Sequence, residues 1–378
     1  MQQERREKLA RQPASQPVPL TLVVRHTFLL FPSLSLFLSL SIIIITNSEI
    51  VGDWNDNEYL EKFAGHCDVI TLENEFIDYT KLEYLESLGK KVYPSSANIK
   101  LIQDKYVQKT TLSSLNIPVA EFVEVESKDD IKNFAVKFGY PMILKSRTMG
   151  YDGKGNYKID NEDDIDEAII TLGKRGKLMC ERFIPFEKEI AVQAVRSVKG
   201  DFKIYSTVET IQENHICTTV LASKTRFSNL QGKVKTIAEN ILNKLDYVGV
   251  MGIEMFLMGE NIIVNELAPR VHNSGHYTIE GCHTSQFENH IRAVSGLTIG
   301  ETSLKEDSSV MINILGKFDG NYNLEFLKDM NLKNNSYLHL YGKNENRTGR
   351  KMGHITLTGD NLNELCSEGN IIREQIKI

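Results

Sequence analysis

Two glutamates on neighbouring predicted strands have the types and spacing to bind a metal ion. Glu254 and Glu266 each lie in a largely apolar strand, predicted over residues 249–257 and 261–266, and a tight turn joins the two strands. Antiparallel pairing could place both carboxylates on one face, where they repel and lose hydration unless a cation lies between them. Mg2+ with nucleotide phosphates is the natural cation, and Asn265 could add an amide oxygen. Two surface glutamates on a hairpin are the alternative.

A glycine-rich segment directly follows a strand predicted over residues 141–145. Three of its six residues, 150–155, are glycines, so backbone N–H groups can close around phosphate oxygens. Lys145 and Lys154 supply positive charge there. The spacing differs from the Walker A pattern G-x-x-x-x-G-K-[ST]. A glycine-rich turn between two strands is the alternative interpretation.

A third polar segment, residues 265–276, follows the second glutamate strand. Its candidate ligand-binding side chains are Arg270, His272, Asn273, Ser274 and His276. Loops that follow strand ends are where α/β folds bind ligands, and an arginine suits a phosphate or a carboxylate bidentately. A purely structural polar loop is the alternative.

Two further segments carry weaker signals. The strand end at residues 181–184 can offer backbone groups to a purine, and Glu189 could accept hydrogen bonds from ribose hydroxyls; an ordinary strand end is the alternative. A basic cluster in residues 341–354 could bind a sugar phosphate through Lys343, Arg350 and Lys351. A solvated basic face is the alternative for that cluster.

The composition excludes several classes of protein. The chain has 378 residues, and 44 Lys and Arg against 50 Asp and Glu give a net charge of −6, which argues against a general nucleic-acid coat. Apolar residues at 41% and charged residues at 25% indicate globular domains rather than disorder. The five cysteines are scattered without C-x-x-C spacing, so neither a disulfide framework nor a zinc site is indicated. We therefore expect a reducing, cytoplasmic compartment and no nucleic-acid partner.

The first 49 residues differ from the rest of the chain. A basic stretch precedes residues 27–48, which carry no charge and are long enough for a membrane span. One interpretation is a signal anchor or an organelle-targeting segment. The other is an unrelated leader, or a noncoding stretch read as protein, because Pro32 and several serines weaken a helix there.

From residue 50 onward, predicted helices and strands alternate, which is typical of an α/β protein. The predicted helices cover residues 56–63, 79–88, about 96–115, 129–138, 163–172 and about 230–245. The predicted strands cover residues 67–72, 91–93, 141–145, 178–183, 189–195, 249–257, 261–266, 310–315 and 337–341.

Taken in order, these segments resemble the ATP-grasp superfamily and, more narrowly, its N5-carboxyaminoimidazole ribonucleotide synthetase family. The segment 265–276 is the most specific match, and segments 150–155, 247–252 and 349–354 support it. The resemblance implies an α/β (α+β) ATP-grasp fold of three domains. In this chain they are an incomplete Rossmann-like domain (50–95), a central ATP-grasp domain (96–297) and a small β-rich C-terminal domain (298–378), and the atypical apolar leader (1–49) precedes them.

The resemblance also implies roles for individual residues. ATP would contact Lys105, Lys145, Gly150, Tyr151, Asp152, Gly153, Lys154, Gly155, Asn156, Glu181, Arg182, Phe183, Ile184, Glu189, Gln212, Asn265 and Glu266. Mg2+, as two ions, would be held by Glu254 and Glu266. Aminoimidazole ribonucleotide would contact Arg270, His272, Asn273, Ser274, Lys343, Arg350 and Lys351. Of these, Arg270, His272 and Lys351 are the predicted catalytic residues.

The implied reaction is the carboxylation of that ribonucleotide by bicarbonate and ATP, through carboxyphosphate, in purine synthesis. The chain departs from the family pattern at three places. The leader stands where a first strand and a glycine-rich turn are expected, Gln212 stands where a nucleotide-facing histidine is common, and no fused mutase or carboxylase domain follows. The alternatives are another ATP-grasp carboxylase or formyl-using synthetase, and an inactive or membrane-tethered relative. The family implies a homodimer.

Overall fold

The computed structural model describes residues 52–148, 150, 155–330 and 332–378. The helices are α1 (Asn57–His66), α2 (Tyr79–Ser87), α3 (Ser96–Gln103), α4 (Lys105–Ser114), α5 (Lys128–Phe138), α6 (Ile165–Leu172), α7 (Gln231–Lys244), α8 (Thr278–Gly281), α9 (Gln286–Val294) and α10 (Leu362–Gln375). The first eight strands are β1 (Val69–Thr71), β2 (Lys91–Tyr93), β3 (Phe122–Val125), β4 (Met142–Ser146), β5 (Asn156–Ile159), β6 (Leu178–Arg182), β7 (Lys188–Arg196) and β8 (Phe202–Ile204). The others are β9 (Val208–Glu213), β10 (Ile216–Ser223), β11 (Gly249–Met258), β12 (Asn261–Ala268), β13 (Ser308–Leu315), β14 (Ser336–Leu340) and β15 (Lys351–Gly359).

Three sheets organise these strands. Strands β1 and β2 form a parallel pair, and β3-β6-β4-β5 form an antiparallel four-stranded sheet. The largest sheet has the order β12-β11-β7-β9-β10-β13-β15-β14, with β8 added beside β7. The antiparallel pair β10–β13 carries this sheet from the central part of the chain into the C-terminal part. Both parts therefore share one continuous hydrogen-bonded scaffold.

The N-terminal unit has the parallel β–α–β order that the sequence predicts for half of a doubly wound domain. Asp56 and Asp78 cap α1 and α2 by accepting hydrogen bonds from backbone N–H groups in the first turn. Apolar side chains from both helices pack on the β1–β2 pair, with Leu82 and Leu85 fully buried. The leader predicted for residues 1–49 lies outside the described residues. Within the described ranges, none of the helices combines the length and apolar character needed to cross a bilayer.

The single helix predicted over residues 96–115 is wrong, because the structure has two helices there. Asp104 adopts an extended conformation (φ −101°, ψ 107°) and ends α3. Its carboxylate accepts hydrogen bonds from the N–H groups of Tyr106 and Val107 and so begins α4. The second helix contacts both larger sheets, because Leu112 lies in the core of the large sheet and Lys109 pairs with Glu181 of β6. Lys105 and Lys109, four residues apart, lie on one face of α4.

The large sheet has one apolar face and one polar face near its β12 edge. Ile190, Val192, Met251 and Ile253 point into a core that α7 covers. Strand side chains alternate between faces, so Glu189, Gln193 and Glu254 point the other way. Strands β8, β9 and β10, to which the sequence predictions assign no element, extend this face and bring Gln212 beside Glu189. The candidate site lies on this polar face.

Candidate active site

Glu254 and Glu266 lie directly opposite each other in the antiparallel β11–β12 pair, which confirms the predicted side-by-side arrangement. The register shifts just after Glu254, because Met255 pairs with Val264. Asn265 is therefore the extra residue of a β-bulge. Its side-chain oxygen is buried and accepts no hydrogen bond from the described residues. Two paired carboxylates and a residue with an unpartnered amide oxygen thus stand next to one another in the register of this hairpin.

The two carboxylates differ in their electrostatic environment. Burial, together with the charges of Glu266 and Glu189, raises the pKa of Glu254 to about 7. Burial also acts to raise the pKa of Glu266, but the ion pair with Lys105 outweighs it and the pKa is lowered. The side chain of Glu266 remains 41% exposed, so it borders an open cleft. Glu254 is the carboxylate whose negative charge lacks compensation.

These oxygens fit the ligand set of Mg2+, which takes one or two protein carboxylates and keeps oxygen ligands from water or phosphate. Among the described residues, no three His, Cys, Asp or Glu side chains converge as a metal-binding group. An ion at Glu254 and Glu266 would therefore need further oxygens, from Asn265, water or a phosphate chain. That requirement suits a metal ion that arrives with a nucleotide.

We expect Glu254→Gln to stabilise the metal-free protein above neutral pH. The folded pKa of Glu254 lies above its ordinary value of 4.5, so the unfolded chain loses the proton first and the free energy of unfolding falls as pH rises from 4.5 to about 7. The variant avoids that loss. Its free energy of unfolding should therefore exceed that of wild type by about 1 to 2 kcal/mol, after allowance for solvent screening of the partly exposed carboxylate. Thermal unfolding in EDTA, measured between about pH 5 and pH 8, checks this.

The matched control is Glu260→Gln, which changes an exposed glutamate on the turn of the same hairpin. It should leave the pH dependence of unfolding unchanged. A Glu254→Gln protein that is less stable than wild type near pH 8 would contradict the assigned repulsion.

A buried carboxylate holds two lysines at the junction of the two larger sheets. Glu181 pairs with Lys145 from the neighbouring strand β4 and with Lys109 from α4, the latter at 3.0 Å between Nζ and Oε2. Burial raises the pKa of Glu181, but the two ammonium groups overcome this and lower it to about 2. Lys109 was missed from the sequence. Its only signal is its position one helical turn after Lys105.

The glycine-rich segment connects strands β4 and β5, as both interpretations of it require. Lys145 pairs with Asn156 in the antiparallel register, and the N–H of Ser146 donates to the carbonyl of Gly155 at 2.8 Å. Gly155 has φ +111°, a conformation that favours glycine, and a Cβ there would lie 3.4 Å from the Cα of Gly150. The predicted ligands Tyr151, Asp152, Gly153 and Lys154 lie outside the described residues.

The strand end at residues 181–184 borders the junction of the two sheets. Ile184 is buried, whereas Arg182 is exposed and lies 3.5 Å from the carboxylate of Glu121. The ring of Phe183 lies beneath the ammonium group of Lys158, with 5.4 Å between Nζ and the ring centroid. The side chains of this segment thus contact other protein groups. The backbone contact with a purine stays a prediction.

Glu189 and Gln212 lie on adjacent strands of the polar face. Burial raises the pKa of Glu189, and a hydrogen bond from the Gln212 side chain partly offsets this. Beside Glu189 in the sheet, Phe256 stacks on Phe186 with 4.5 Å between ring centroids and 5° between ring planes. Sequence reasoning missed this flat apolar surface, because the two rings come from segments far apart in the chain. It could pack against an aromatic base.

Arg270 forms a bidentate ion pair with Glu75 of the N-terminal unit. The Nη2 group of Arg270 donates to Oε1 of Glu75 at 2.9 Å, and Nε donates to Oε2. The sequence predicted that Arg270 binds a carboxylate or phosphate of a ligand. The carboxylate that it contacts in this structure is that of Glu75, a residue of the protein. Glu75 was not predicted. The pair joins the loop after β1 to the loop after β12, and both side chains remain partly exposed.

His272 lies between this ion pair and the glutamates. Its Nε2 atom is 3.6 Å from Oε1 of Glu254, and its Nδ1 atom accepts from the backbone N–H of Ser274. Burial, with the nearby charges of Arg270 and Lys351, lowers the pKa of His272 well below its usual value, so the ring is neutral with its proton on Nε2. A Cβ at Gly252 would lie 2.7 Å from Cβ of His272, so only glycine leaves room there.

Ser274 and Asn273 make their hydrogen bonds within the protein. The hydroxyl of Ser274 is 2.8 Å from Nδ1 of His272 and accepts from Gln193 at 2.8 Å. The Asn273 side chain exchanges two hydrogen bonds with Asn313, at 2.9 and 2.7 Å. Ser274 therefore supports the His272 ring, and Asn273 connects this loop to β13. Their direct contact with a substrate stays a prediction.

The basic cluster divides between the cleft and the surface. The charges of Lys351 and Arg270 both contribute to the lowered pKa of His272. Lys343 donates to the carbonyl of Lys351 at 2.6 Å. Arg350 donates to the carbonyl of Glu345 at 3.0 Å, within its own loop. The catalytic roles of Arg270, His272 and Lys351 stay predictions.

The fold and the site together define an ATP-grasp protein. A four-stranded sheet carries the strands that flank the glycine-rich segment, a larger sheet carries the glutamates, and Lys105 and Lys145 pair with carboxylates of the larger and the smaller sheet. The family model for the ATP-grasp domain matches residues 110–287. The phosphoribosylaminoimidazole carboxylase C-terminal domain matches residues 309–368, and the ribonucleotide synthetase preATP-grasp domain matches residues 41–103.

Individual relatives define the family more narrowly. The chain is 36% identical to the N5-carboxyaminoimidazole ribonucleotide synthase of Synechococcus elongatus, over 89% of this chain and 85% of that protein. A structure of the Aspergillus clavatus N5-carboxyaminoimidazole synthase with ADP and 5-aminoimidazole ribonucleotide matches with a TM-score of 0.79 and 34% identity, covering 88% of each chain. The chain belongs to the N5-carboxyaminoimidazole ribonucleotide synthase family.

A longer relative has an additional region. The chain is 40% identical to the phosphoribosylaminoimidazole carboxylase of Ogataea methanolica over 325 residues, which is 84% of this chain. That match covers 60% of the Ogataea protein, so the chain spans about three fifths of that relative's length.

Proposed function

We propose that the chain catalyses the ATP- and bicarbonate-dependent carboxylation of 5-aminoimidazole ribonucleotide to its N5-carboxy derivative, in purine biosynthesis. The observation that carries this proposal is the contact between two half-sites, the paired carboxylates and the cationic loop that contains Arg270. Glu254 belongs to the first and lies 3.6 Å from His272, which belongs to the second. The names of the relatives support the reaction. The Aspergillus clavatus structure, which contains ADP and the ribonucleotide, supports the proposal that this chain binds both kinds of ligand.

The first half-site would bind ATP. We propose that Lys105, Lys145 and the segment 150–156 contact its phosphates, and that Asn265 and Glu266 lie at the phosphate end. The base and ribose would lie along residues 181–184, Glu189 and Gln212. Glu254 and Glu266 would hold Mg2+, whose chemistry is to neutralise charge on the phosphoryl group in transfer. Because Lys105 already pairs with Glu266, this carboxylate is kept ionised and ready to bind a cation.

The second half-site would bind bicarbonate and the ribonucleotide. An oxygen of bicarbonate attacks the γ-phosphorus of ATP, the bond to the β-phosphate oxygen breaks, and ADP leaves. The 5-amino nitrogen then bonds to the carboxyl carbon of carboxyphosphate, and phosphate and a proton leave. Arg270, the Nε2–H of His272 and Lys351 are placed to orient the anionic groups. Lys343, Arg350, Asn273 and Ser274 complete the proposed substrate side.

The decisive experiment measures ADP release by the purified chain with bicarbonate. We expect release to depend on 5-aminoimidazole ribonucleotide and to stop when bicarbonate is depleted. Release that is indifferent to the ribonucleotide would remove this substrate and favour another ATP-grasp carboxylase. An absence of release with intact ATP binding would favour an inactive relative.

We further propose a cytoplasmic homodimer, on the resemblance to the family alone. Light scattering after size-exclusion chromatography tests the dimer, and a monomer at micromolar concentration would contradict it. Fractionation of a tagged chain tests the segment 1–49. A tagged chain found in the membrane fraction or inside an organelle would instead assign an anchoring or targeting role to that segment.

A further inference from the structure

Four aromatic side chains join the two proposed substrate segments, residues 265–276 and 341–354. The hydroxyl of Tyr341 lies 3.1 Å from Nδ1 of His276 and 2.8 Å from Nδ1 of His354. His339 stacks on His354 with 4.4 Å between ring centroids and 15° between ring planes. On its far side, His339 lies 2.8 Å from the carboxylate of Glu280 in α8. The cluster lies where the C-terminal part of the large sheet meets the loop that follows β12.

The hydroxyl of Tyr341 is the shared group in this cluster. It can donate its proton to one Nδ1 atom and accept a hydrogen bond from the other. Burial lowers the pKa of His276 to about 3 and that of His354 well below its usual range. His339 adds to both shifts, and Lys351 and Arg270 add to that of His276. Both rings are therefore neutral at physiological pH. Burial also raises the pKa of Tyr341, so its hydroxyl keeps the proton that it donates to one of the two rings.

Tyr341 also stands at the start of the basic segment. Its backbone N–H donates to the carbonyl of Met352 at 2.9 Å, which ties it to the strand that begins at Lys351. The ammonium group of Lys343 lies 5.5 Å from the centroid of the Tyr341 ring. The same ammonium group donates to the carbonyl of Lys351. The position of this ring therefore influences where Lys343 lies relative to Lys351.

We infer that Tyr341 is a positioning residue for the ribonucleotide. By bonding to His276, it holds the basic segment against the loop of Arg270 and His272, so that Lys343 and Lys351 face the same ligand. The inference rests on the proposed function, because it assumes that both segments bind one ribonucleotide. The side chain of Tyr341 contacts His276, His354 and Lys343, which all lie outside the proposed ATP half-site. Loss of the hydroxyl should therefore weaken ribonucleotide binding and leave ATP binding intact.

The test compares Tyr341→Phe with Tyr337→Phe, a control on the adjoining strand β14, whose side chain is only partly buried. We expect Tyr341→Phe to raise the KM for the ribonucleotide by about tenfold, an effect typical of losing one or two hydrogen bonds. The KM for ATP and the thermal stabilisation by ATP with Mg2+ should stay within twofold of wild type. The Tyr337→Phe protein should match wild type in every measurement.

A double variant separates positioning from a general structural role. If Tyr341 acts through Lys343, Tyr341→Phe combined with Lys343→Met should weaken ribonucleotide binding no more than Lys343→Met alone. Additive losses, an unchanged KM for the ribonucleotide, or equal losses for ATP and ribonucleotide would each overturn the inference. A wild-type chain without any response to the ribonucleotide would instead overturn the proposed function, and the inference with it.

Discussion

Glu266→Gln is expected to lower the rate of ATP turnover by at least about 1,000-fold, which corresponds to about 4 kcal/mol of lost transition-state stabilisation. The amide keeps the size of the side chain but removes the charge opposite Glu254. It also removes the partner of Lys105. Both changes fall on the proposed phosphate end of the cleft, where charge must be neutralised during transfer. Ribonucleotide-dependent ADP release over a range of Mg2+ concentrations measures the effect.

The control for this variant is again Glu260→Gln, which removes one negative charge from the same hairpin at an exposed position. Its turnover should lie within twofold of wild type. Near-normal turnover by Glu266→Gln at low Mg2+ would refute the role of Glu266 as a metal ligand. Far-ultraviolet circular dichroism confirms that both variants are folded.

Arg270→Lys is expected to lower kcat/KM for the ribonucleotide by at least about 100-fold, although the positive charge is kept. Lysine cannot reproduce the two parallel N–H bonds by which Arg270 holds Glu75. Glu75 would then lose its fork-shaped partner, and the loops after β1 and β12 would no longer be held together. The lysine would also fail to orient a bound anion. Steady-state kinetics with the ribonucleotide as the varied substrate measures the loss.

Arg292→Lys is the matched control, since Arg292 pairs with Glu288 one turn away on the surface of α9. It should leave kcat/KM unchanged within twofold, because exposed pairs of this kind contribute little. Thermal stabilisation of Arg270→Lys by ATP with Mg2+ should persist, because the nucleotide half-site keeps its described contacts. An Arg270→Lys enzyme with normal kcat/KM would show that the bidentate geometry is not needed.

These predictions divide the site into a nucleotide side and a substrate side that can fail separately. Glu266 acts on the first, Arg270 and Tyr341 on the second, and His272 lies between them, 3.6 Å from Glu254. A neutral His272 suits that position, because a charged ring would favour a permanent ion pair with Glu254 over contact with a ligand. Separate measurements of ATP and ribonucleotide binding therefore carry more information than turnover alone.

The sequence by itself determined the elements whose partners are close in the chain. The hairpin of β11 and β12 was predictable because a short turn between apolar runs leaves few registers, and the pairing of Glu254 with Glu266 followed from it. The strand before the glycine-rich segment was predicted, whereas β5, which follows that segment, was not. Helices such as α5 and α7 were set by apolar periodicity, and their observed ends lie within one residue of the predicted ones.

Only the tertiary structure decided which distant groups meet. Asp104 ends one helix and begins the next, and an apolar pattern that continues across residues 96–115 does not show this. Arg270 meets Glu75 across 195 residues, and Lys109 meets Glu181 through the packing of α4 on the smaller sheet. The hydroxyl of Tyr341 reaches His276 because β14 and β15 bring the C-terminal segment back to the cleft. Such contacts leave no local trace, because their energy comes from burial and charge pairing that exist only once the sheets have assembled.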